Sequence, residues 1–181
     1  SKKYNLKIPS LTGDFLMQDP FWKSNSSVKK SLENKFIDLI LNCKEIGIRI
    51  IVVPLVDNGS MEEINHQNAL VEFFDKNLPL LKKEKVQIAF ESDFCSEDLM
   101  QLLKNFDNEY IGINYDIGNS ASLGFDCEEE ITLYGDLIKN VHVKDRELQG
   151  ITVPLGEGNA DFEKVFKLLE SKGYKGNLIL Q

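Results

Sequence analysis

The sequence predicts an α/β fold in which parallel strands alternate with helices along the chain. Short apolar runs rich in β-branched residues recur, and longer amphipathic segments with helical spacing separate them. Glycines and capping residues stand where such helices should begin and end. Strict alternation of this kind is typical of parallel βαβ units, because a parallel connection needs a long crossover that is usually a helix.

Six strands are expected from the apolar runs. The most regular covers residues 48–55, which are almost continuously apolar and β-branched, as in a strand buried on both faces. The predicted strands are residues 6–11, 48–55, 86–91, 110–116, 139–144 and 176–181.

About five helices are expected between these strands. Gly47 should end the first helix, Ser96 should cap the third, and Asp161 should cap the last, which Gly173 would close. The dipeptide Asn58-Gly59 indicates a turn. The predicted helices are residues 32–46, 61–84, 96–106, 127–137 and 162–169.

Two architectures fit this pattern, an open doubly wound sheet and a closed barrel. The nucleotide-binding forms of the open sheet lose their main support, because the sequence contains neither GxGxxG nor GxxxxGK[ST]. A complete (β/α)8 TIM barrel needs eight units and typically ~250 residues. We therefore expect residues 1–181 to form one TIM-barrel domain that holds about six of the eight βα units and lacks N-terminal units.

The composition limits the kinds of partner that this protein could bind. The net charge of −8 disfavours binding to nucleic acid, and the absence of ~18 consecutive apolar residues disfavours a membrane span. The three cysteines, Cys43, Cys95 and Cys127, are odd in number and widely spaced, and they form no CxxC pair. Reduced thiols in a cytoplasmic protein are therefore expected, and a structural zinc ribbon is excluded.

Polar residues end several predicted strands, at the edge where barrel enzymes place their active sites. They are Glu91, Asp116, His142 and Gln181. Two carboxylates with one imidazole suit Mn²⁺, Co²⁺, Mg²⁺ or Zn²⁺, and an amide oxygen could add a fourth ligand. Taken singly, three of them have a structural alternative. Glu91 could be a solvated loop residue or a helix cap, Asp116 could cap the next turn, and His142 could be a hydrogen-bonded core histidine.

Several short motifs then follow in order: IAFE at 88–91, NYDIGN at 114–119, VHVKD at 141–145 and PLGEG at 154–158. With the following DF and GYKG, this ordered set resembles the xylose-isomerase-like TIM-barrel superfamily. That superfamily contains sugar phosphate isomerases and epimerases and proteins of the AP endonuclease 2 type. The resemblance covers roughly residues 32–181.

The resemblance implies one divalent metal, with Mn²⁺ preferred, bound by Glu91, Asp116 and His142. Its fourth ligand position falls on Gln181, where the family commonly has a second glutamate. Members of the family remove a proton next to a carbonyl and pass through a metal-stabilised enediolate. Glu91 would be the catalytic base, and Lys144 would assist at the substrate oxygens. Because glutamine cannot titrate, a mechanism with a single base, or an inosose-type dehydratase, fits better than a mechanism with two bases.

A sugar or sugar phosphate is the expected substrate, and a homodimer or homotetramer the expected assembly. Candidate substrate-binding residues are Trp22, Asn119, Asp145 and Glu157. Each also has a structural alternative: core packing for Trp22, a turn for Asn119, a loop ion pair for Asp145 and a loop cap for Glu157. A nuclease of the endonuclease IV type would need a histidine-rich three-zinc cluster, and the chain has 2 histidines. A sugar-binding barrel without catalytic activity is the alternative outside the enzymes. Gln181 favours it, because this residue lacks the titratable group of the glutamate that the family commonly has there.

Overall fold

Strands and helices alternate in the computed structural model, which describes Tyr4 and residues 7–181. The strands are β1 (Ser10–Thr12), β2 (Ile50–Leu55), β3 (Gln87–Ser92), β4 (Ile111–Asp116), β5 (Ile138–Val143), β6 (Asp145–Arg146), β7 (Thr152–Val153) and β8 (Asn177–Leu180). The α-helices are α1 (Phe15–Gln18), α2 (Ser26–Ile46), α3 (Ile64–Glu84), α4 (Ser96–Leu103), α5 (Ile117–Leu123), α6 (Cys127–Tyr134) and α7 (Phe162–Ser171).

Six strands form one sheet in the order β1-β2-β3-β4-β5-β8. The pairs β1/β2, β2/β3, β4/β5 and β5/β8 are parallel. At the start of β4, the carbonyl of Tyr110 accepts a hydrogen bond from the N–H of Ile88. The strands of the sheet are thus in sequence order with helices between them, as the alternating pattern predicts.

Contacts divide the chain into two compact units. The first comprises residues 1–92 with 105–112, and the second comprises residues 93–104 with 113–181. In the first unit, β2 is buried along its whole length, and the core also contains a cluster of aromatic rings. Phe74 lies at the centre of this cluster, with its ring centroid 5.7 Å from Phe36 and 5.5 Å from Phe90.

The second unit contains β5 between β4 and β8, with the antiparallel hairpin β6/β7 directly after β5. Helix α7 begins where predicted, because the Asp161 side chain accepts a hydrogen bond from the N–H of Lys164. A buried cluster connects α5 and α6 to β4: the Glu130 carboxylate accepts hydrogen bonds from the hydroxyls of Ser120, Tyr115 and Tyr134.

Several details of the element prediction were wrong, among them the missed helix α1 and the start of α2 at Ser26 and not at residue 32. Strand β1 is shorter than the predicted 6–11, and residue 6 lies outside the described residues. Ser96 is the first residue of α4, and Cys95 occupies the cap position. The Ser96 hydroxyl donates a hydrogen bond to the side chain of the neighbouring Glu97. Helix α5 and the β6/β7 hairpin were not predicted, because both are short and lack a full period of apolar residues.

Within Tyr4 and residues 7–181, no helix combines the length and apolar character needed to cross a bilayer.

Candidate metal centre

Asp116 ends β4 and caps the helix that follows. Its Oδ1 accepts a hydrogen bond from the N–H of Asn119 at 2.8 Å. Its Oδ2 lies 2.9 Å from Nζ of Lys144 and 3.7 Å from Nδ1 of His142, but no described group meets Oδ2 with hydrogen-bond geometry. Burial raises the pKa of this carboxyl, but the neighbouring imidazole, ammonium and N–H together outweigh that effect, so the pKa lies below its ordinary value. The site therefore holds a buried, ionised carboxylate whose Oδ2 faces the Lys144 ammonium and the His142 imidazole.

A shift in strand register places His142 opposite Asp116. Ile113 pairs with Ile138, but after an irregularity Asp116 pairs with His142. Without this one-residue shift Asp116 would pair with Val141, whose side chain points to the other face of the sheet. The irregularity therefore brings carboxylate and imidazole to the same face.

Two asparagines support the imidazole of His142, one by direct contact and the other through the first. Asn114 and Asn140 lie two residues before Asp116 and His142 on their strands, so their side chains point to the same face. Nδ2 of Asn140 donates to Oδ1 of Asn114 at 2.7 Å, and Nδ2 of Asn114 lies 3.1 Å from Nδ1 of His142. Such outer contacts orient metal-binding histidines in many proteins.

Glu91 belongs to the first unit. It is the fifth of the six residues of β3, pairs with Pro54 of β2, and is 7% exposed. The prediction that this carboxylate stands near the C-terminal end of its strand is confirmed.

Gln181 follows β8 directly, and its backbone N–H donates to the carbonyl of Val143 at 3.1 Å. The residue is exposed. The backbone of Gln181 is therefore hydrogen-bonded to β5 at Val143, the residue after His142. His142 itself pairs with Ile179 of β8. A metal-ligating role for Gln181 stays a prediction.

Asp145 is fully buried and organises the loop that follows the hairpin. Its Oδ2 accepts from the N–H groups of Gly156 and Gly158 at 2.8 and 2.9 Å, and its Oδ1 accepts from Arg146 and Ala160 at 2.9 and 3.1 Å. A Cβ at Gly158 would collide with this carboxylate. These contacts hold the loop in place, and substrate binding by Asp145 stays a prediction.

The other predicted substrate-binding residues have different surroundings. Asn119 accepts a hydrogen bond at Oδ1 from Arg146 at 3.0 Å, close to Asp116. Glu157 is exposed on the loop that Asp145 holds. Trp22, in the first unit, is 4% exposed and donates from Nε1 to the carbonyl of Gly59 at 3.0 Å, a packing contact. Contact of these three residues with a substrate stays a prediction.

The second unit thus brings Asp116, His142 and Lys144 together. The sequence interpretation missed the supporting groups Asn114 and Asn140. A signal for them existed, since each is a polar residue two positions before a predicted ligand in an otherwise apolar strand.

Comparison with known proteins decides the family. The model of the xylose isomerase-like TIM barrel family matches residues 1–181. The chain belongs to this family. The predicted resemblance is therefore confirmed, and with it the fold class of a TIM barrel of which the chain contributes six parallel strands.

Among curated relatives, an inosose dehydratase of Clostridium perfringens is 25% identical over 152 residues, covering 71% of this chain and 51% of that protein. The L-ribulose-5-phosphate 3-epimerase UlaE of Escherichia coli O1:K1 is 24% identical over 186 residues, covering 97% of this chain and 64% of that protein. The chain thus spans between about half and two thirds of the length of these relatives.

Solved structures share the fold at low identity. A D-tagatose 3-epimerase-like protein has a TM-score of 0.80 at 22% identity, covering 99% of this chain and 71% of that one. A xylose isomerase-like TIM barrel protein from Mycobacterium smegmatis, solved with magnesium, has a TM-score of 0.76 at 14% identity, covering 99% and 68%. The IOLI protein, solved with a zinc atom, has a TM-score of 0.74 at 16% identity, covering 97% and 66%.

Proposed function

We propose that this chain is part of a divalent-metal-dependent isomerase or epimerase that acts on a sugar or sugar phosphate. One observation carries the proposal. Asp116 presents a buried, ionised carboxylate whose Oδ2 lies 3.7 Å from an imidazole nitrogen of His142 and 2.9 Å from the ammonium of Lys144. A buried carboxylate oxygen that faces both an imidazole and a positive charge fits a cation ligand.

In this proposal Glu91, Asp116 and His142 bind one metal ion. Each of the three has a buried side chain with an oxygen or nitrogen atom that can bind a metal. Two carboxylates and one imidazole suit Mn²⁺ first, with Co²⁺, Mg²⁺ or Zn²⁺ as alternatives. Gln181 is the proposed fourth group, either as an amide-oxygen ligand or as a partner of a substrate hydroxyl.

The proposed chemistry is proton transfer next to a carbonyl. A bound divalent ion would polarise the carbonyl and stabilise the negative charge that develops when the neighbouring carbon loses its proton. Glu91 would remove that proton and return it to the same or the adjacent carbon. Lys144, whose ammonium lies beside Asp116, would donate to a substrate oxygen.

Substrate hydroxyls would meet Asn119 and the exposed Glu157 on the loop held by Asp145, with Trp22 as a candidate wall of the pocket. Sugar hydroxyls both donate and accept hydrogen bonds, so an amide and a carboxylate are suitable partners. A cytoplasmic location completes the proposal and is supported by the free thiols of Cys43, Cys95 and Cys127. The proposed assembly is a homodimer or homotetramer, which size-exclusion chromatography with light scattering tests.

An inosose-type dehydratase is a second candidate. It is favoured by the Clostridium perfringens relative and by Gln181, since an amide cannot serve as the second titratable base. Dehydration also begins with removal of a proton beside a carbonyl, so Glu91 keeps its role. In this case the proton would not return, and a hydroxyl would leave as water from the neighbouring carbon.

The test is hydrogen exchange into the substrate. Protein loaded with Mn²⁺ is incubated in ²H₂O with ketoses, ketose phosphates and an inosose, and deuterium next to the carbonyl is measured by NMR and mass spectrometry. We expect exchange in the wild type, and none in Glu91→Gln. The control Glu45→Gln changes an exposed glutamate on α2 and should behave as the wild type.

The products separate the candidates. Exchange with a new epimer or isomer supports the first function, and loss of water supports the dehydratase. Metal and sugar binding with no exchange for any substrate would contradict both, and a sugar-binding barrel would then be the better account.

A further inference from the structure

Lys144 points its ammonium group at the carboxylate oxygen that the proposed metal needs. Nζ lies 2.9 Å from Oδ2 of Asp116, and the two side chains are 14% and 1% exposed. A divalent cation bound to Oδ2 would have to sit within a few ångströms of this ammonium. Two cations so close in a buried site repel each other strongly, because little solvent screens them.

The other oxygen of Asp116 is already engaged, because Oδ1 accepts the N–H of Asn119 at 2.8 Å and so caps α5. A metal ion on Oδ2 would meet the ammonium of Lys144 at the same oxygen. Lys144 and a metal ion on Oδ2 therefore compete for that atom.

The backbone of Lys144 is fixed on both sides, so only its side chain can give way. Val143 before it pairs with Leu180 in the sheet, and Asp145 after it is held by four backbone N–H groups. A Cβ placed on Gly118 would lie 2.9 Å from the carbonyl oxygen of Lys144 and 3.1 Å from its Cγ. The start of α5 thus packs directly on Lys144, and the glycine makes room for the lysine stem.

We propose that Lys144 is a built-in counter-ion for the metal site. In the metal-free protein its ammonium neutralises the buried Asp116 carboxylate, and it must swing away when a divalent cation binds. Lys144 thereby weakens metal binding, stabilises the metal-free fold, and becomes available to a substrate oxygen when the metal is loaded. The inference rests on the proposed metal site and adds a regulatory role to it.

The consequence is opposite to that expected for an ordinary active-site residue. Removing the charge of Lys144 should tighten metal binding, because no ion pair has to be broken. A tenfold change in Kd corresponds to about 1.4 kcal/mol. We expect Lys144→Met to bind Mn²⁺ at least about tenfold more tightly than the wild type.

The experiment is a calorimetric titration of metal-free protein with MnCl₂ after removal of metal with EDTA. Lys144→Arg keeps the charge and should retain the wild-type Kd within about threefold. Lys164→Met removes a lysine that pairs with Asp126 and Glu128 in the same unit, so it controls for loss of one positive charge. Thermal unfolding with and without Mn²⁺ gives a second readout for every variant. The metal-induced rise in Tm should be larger in Lys144→Met than in the wild type.

Should Lys144→Met fail to fold without metal, Lys144→Gln replaces it, and folding that depends on added Mn²⁺ would also support the proposal. An unchanged or weaker Mn²⁺ affinity in the Met and Gln variants, with normal binding in the wild type, would overturn this inference alone. Binding in none of the proteins would overturn the metal site itself and this inference with it.

Discussion

Replacing Asp145 by asparagine should destabilise the second unit more than any other single isosteric polar change described above. The aspartate side chain is fully buried and its carboxylate accepts four backbone hydrogen bonds, two at each oxygen. An asparagine of the same size keeps one oxygen and turns an NH₂ group toward the other two N–H groups. The loop of residues 154–160 then loses half of its anchor.

The magnitude follows from the two N–H groups left without an acceptor. A buried donor without a partner costs about 1–3 kcal/mol, so two of them cost about 2–6 kcal/mol. We expect a loss of about 4 kcal/mol in the free energy of unfolding, a large part of the ~5–15 kcal/mol typical of a domain. Chemical unfolding in urea followed by circular dichroism measures this loss. Amide hydrogen exchange should show faster exchange at Gly156 and Gly158.

The matched control is Asp161→Asn, the same substitution at the exposed cap of α7. Asparagine caps helices about as well as aspartate, so the change there should be below about 0.5 kcal/mol. A loss below about 1 kcal/mol in Asp145→Asn, or unchanged exchange in the loop, would refute the reasoning.

The same variant has an expected pH dependence. Burial raises the pKa of Asp145, but the four N–H bonds outweigh it and hold the pKa below its ordinary value. A carboxyl with a lowered pKa stabilises the fold above its unfolded pKa of about 3.9, and this contribution is lost as the pH falls through the folded pKa. The stability difference between wild type and Asp145→Asn should therefore be constant near neutral pH and shrink below about pH 4.

Two further changes test the buried polar cluster and the aromatic core. Burial raises the pKa of Glu130, and the hydroxyls of Ser120, Tyr134 and Tyr115 offset this rise only in part. Ionisation of Glu130 therefore destabilises the fold as the pH rises from the unfolded pKa of about 4.3 through the folded pKa. Glu130→Gln should thus gain stability relative to the wild type between pH 4 and pH 7, and an equal difference at both pH values in urea unfolding would contradict this. Phe74→Ala should cost about 3–5 kcal/mol, since its ring centroid lies 5.2 to 6.4 Å from four other phenylalanine rings, and a loss below about 1.5 kcal/mol would show that the core relaxes into the cavity.

The parallel sheet could be predicted from the sequence because its strands are long apolar runs with clear ends. Residues 48–55 and 110–116 differ from β2 and β4 by only one or two residues at the start. Short elements could not be predicted, because they depend on tertiary contacts. Helix α5 is held by the Asp116 cap at one end and by Gly124 at the other, within a segment that contains Gly118 and looks like a turn. The β6/β7 hairpin depends on the buried Asp145 carboxylate.

The residue types of the candidate site could be predicted, but not their contacts. Asp116 and His142 fall at strand ends in the sequence, yet only the register shift after Ile113 makes them neighbours. The sequence likewise gave no indication that Lys144 pairs with Asp116, because that contact depends on how closely α5 packs on the backbone after β5.

The central claim is that Glu91, Asp116 and His142 bind one divalent ion. Metal content of the purified protein by elemental mass spectrometry, before and after dialysis against Mn²⁺, tests it most directly. We expect about one ion per chain in the wild type, and loss of that ion in both Glu91→Ala and His142→Ala while their circular dichroism is unchanged. No metal in the wild type after Mn²⁺ is offered, or an ion that both variants retain, would contradict the claim, and several zinc ions per chain would point to a nuclease.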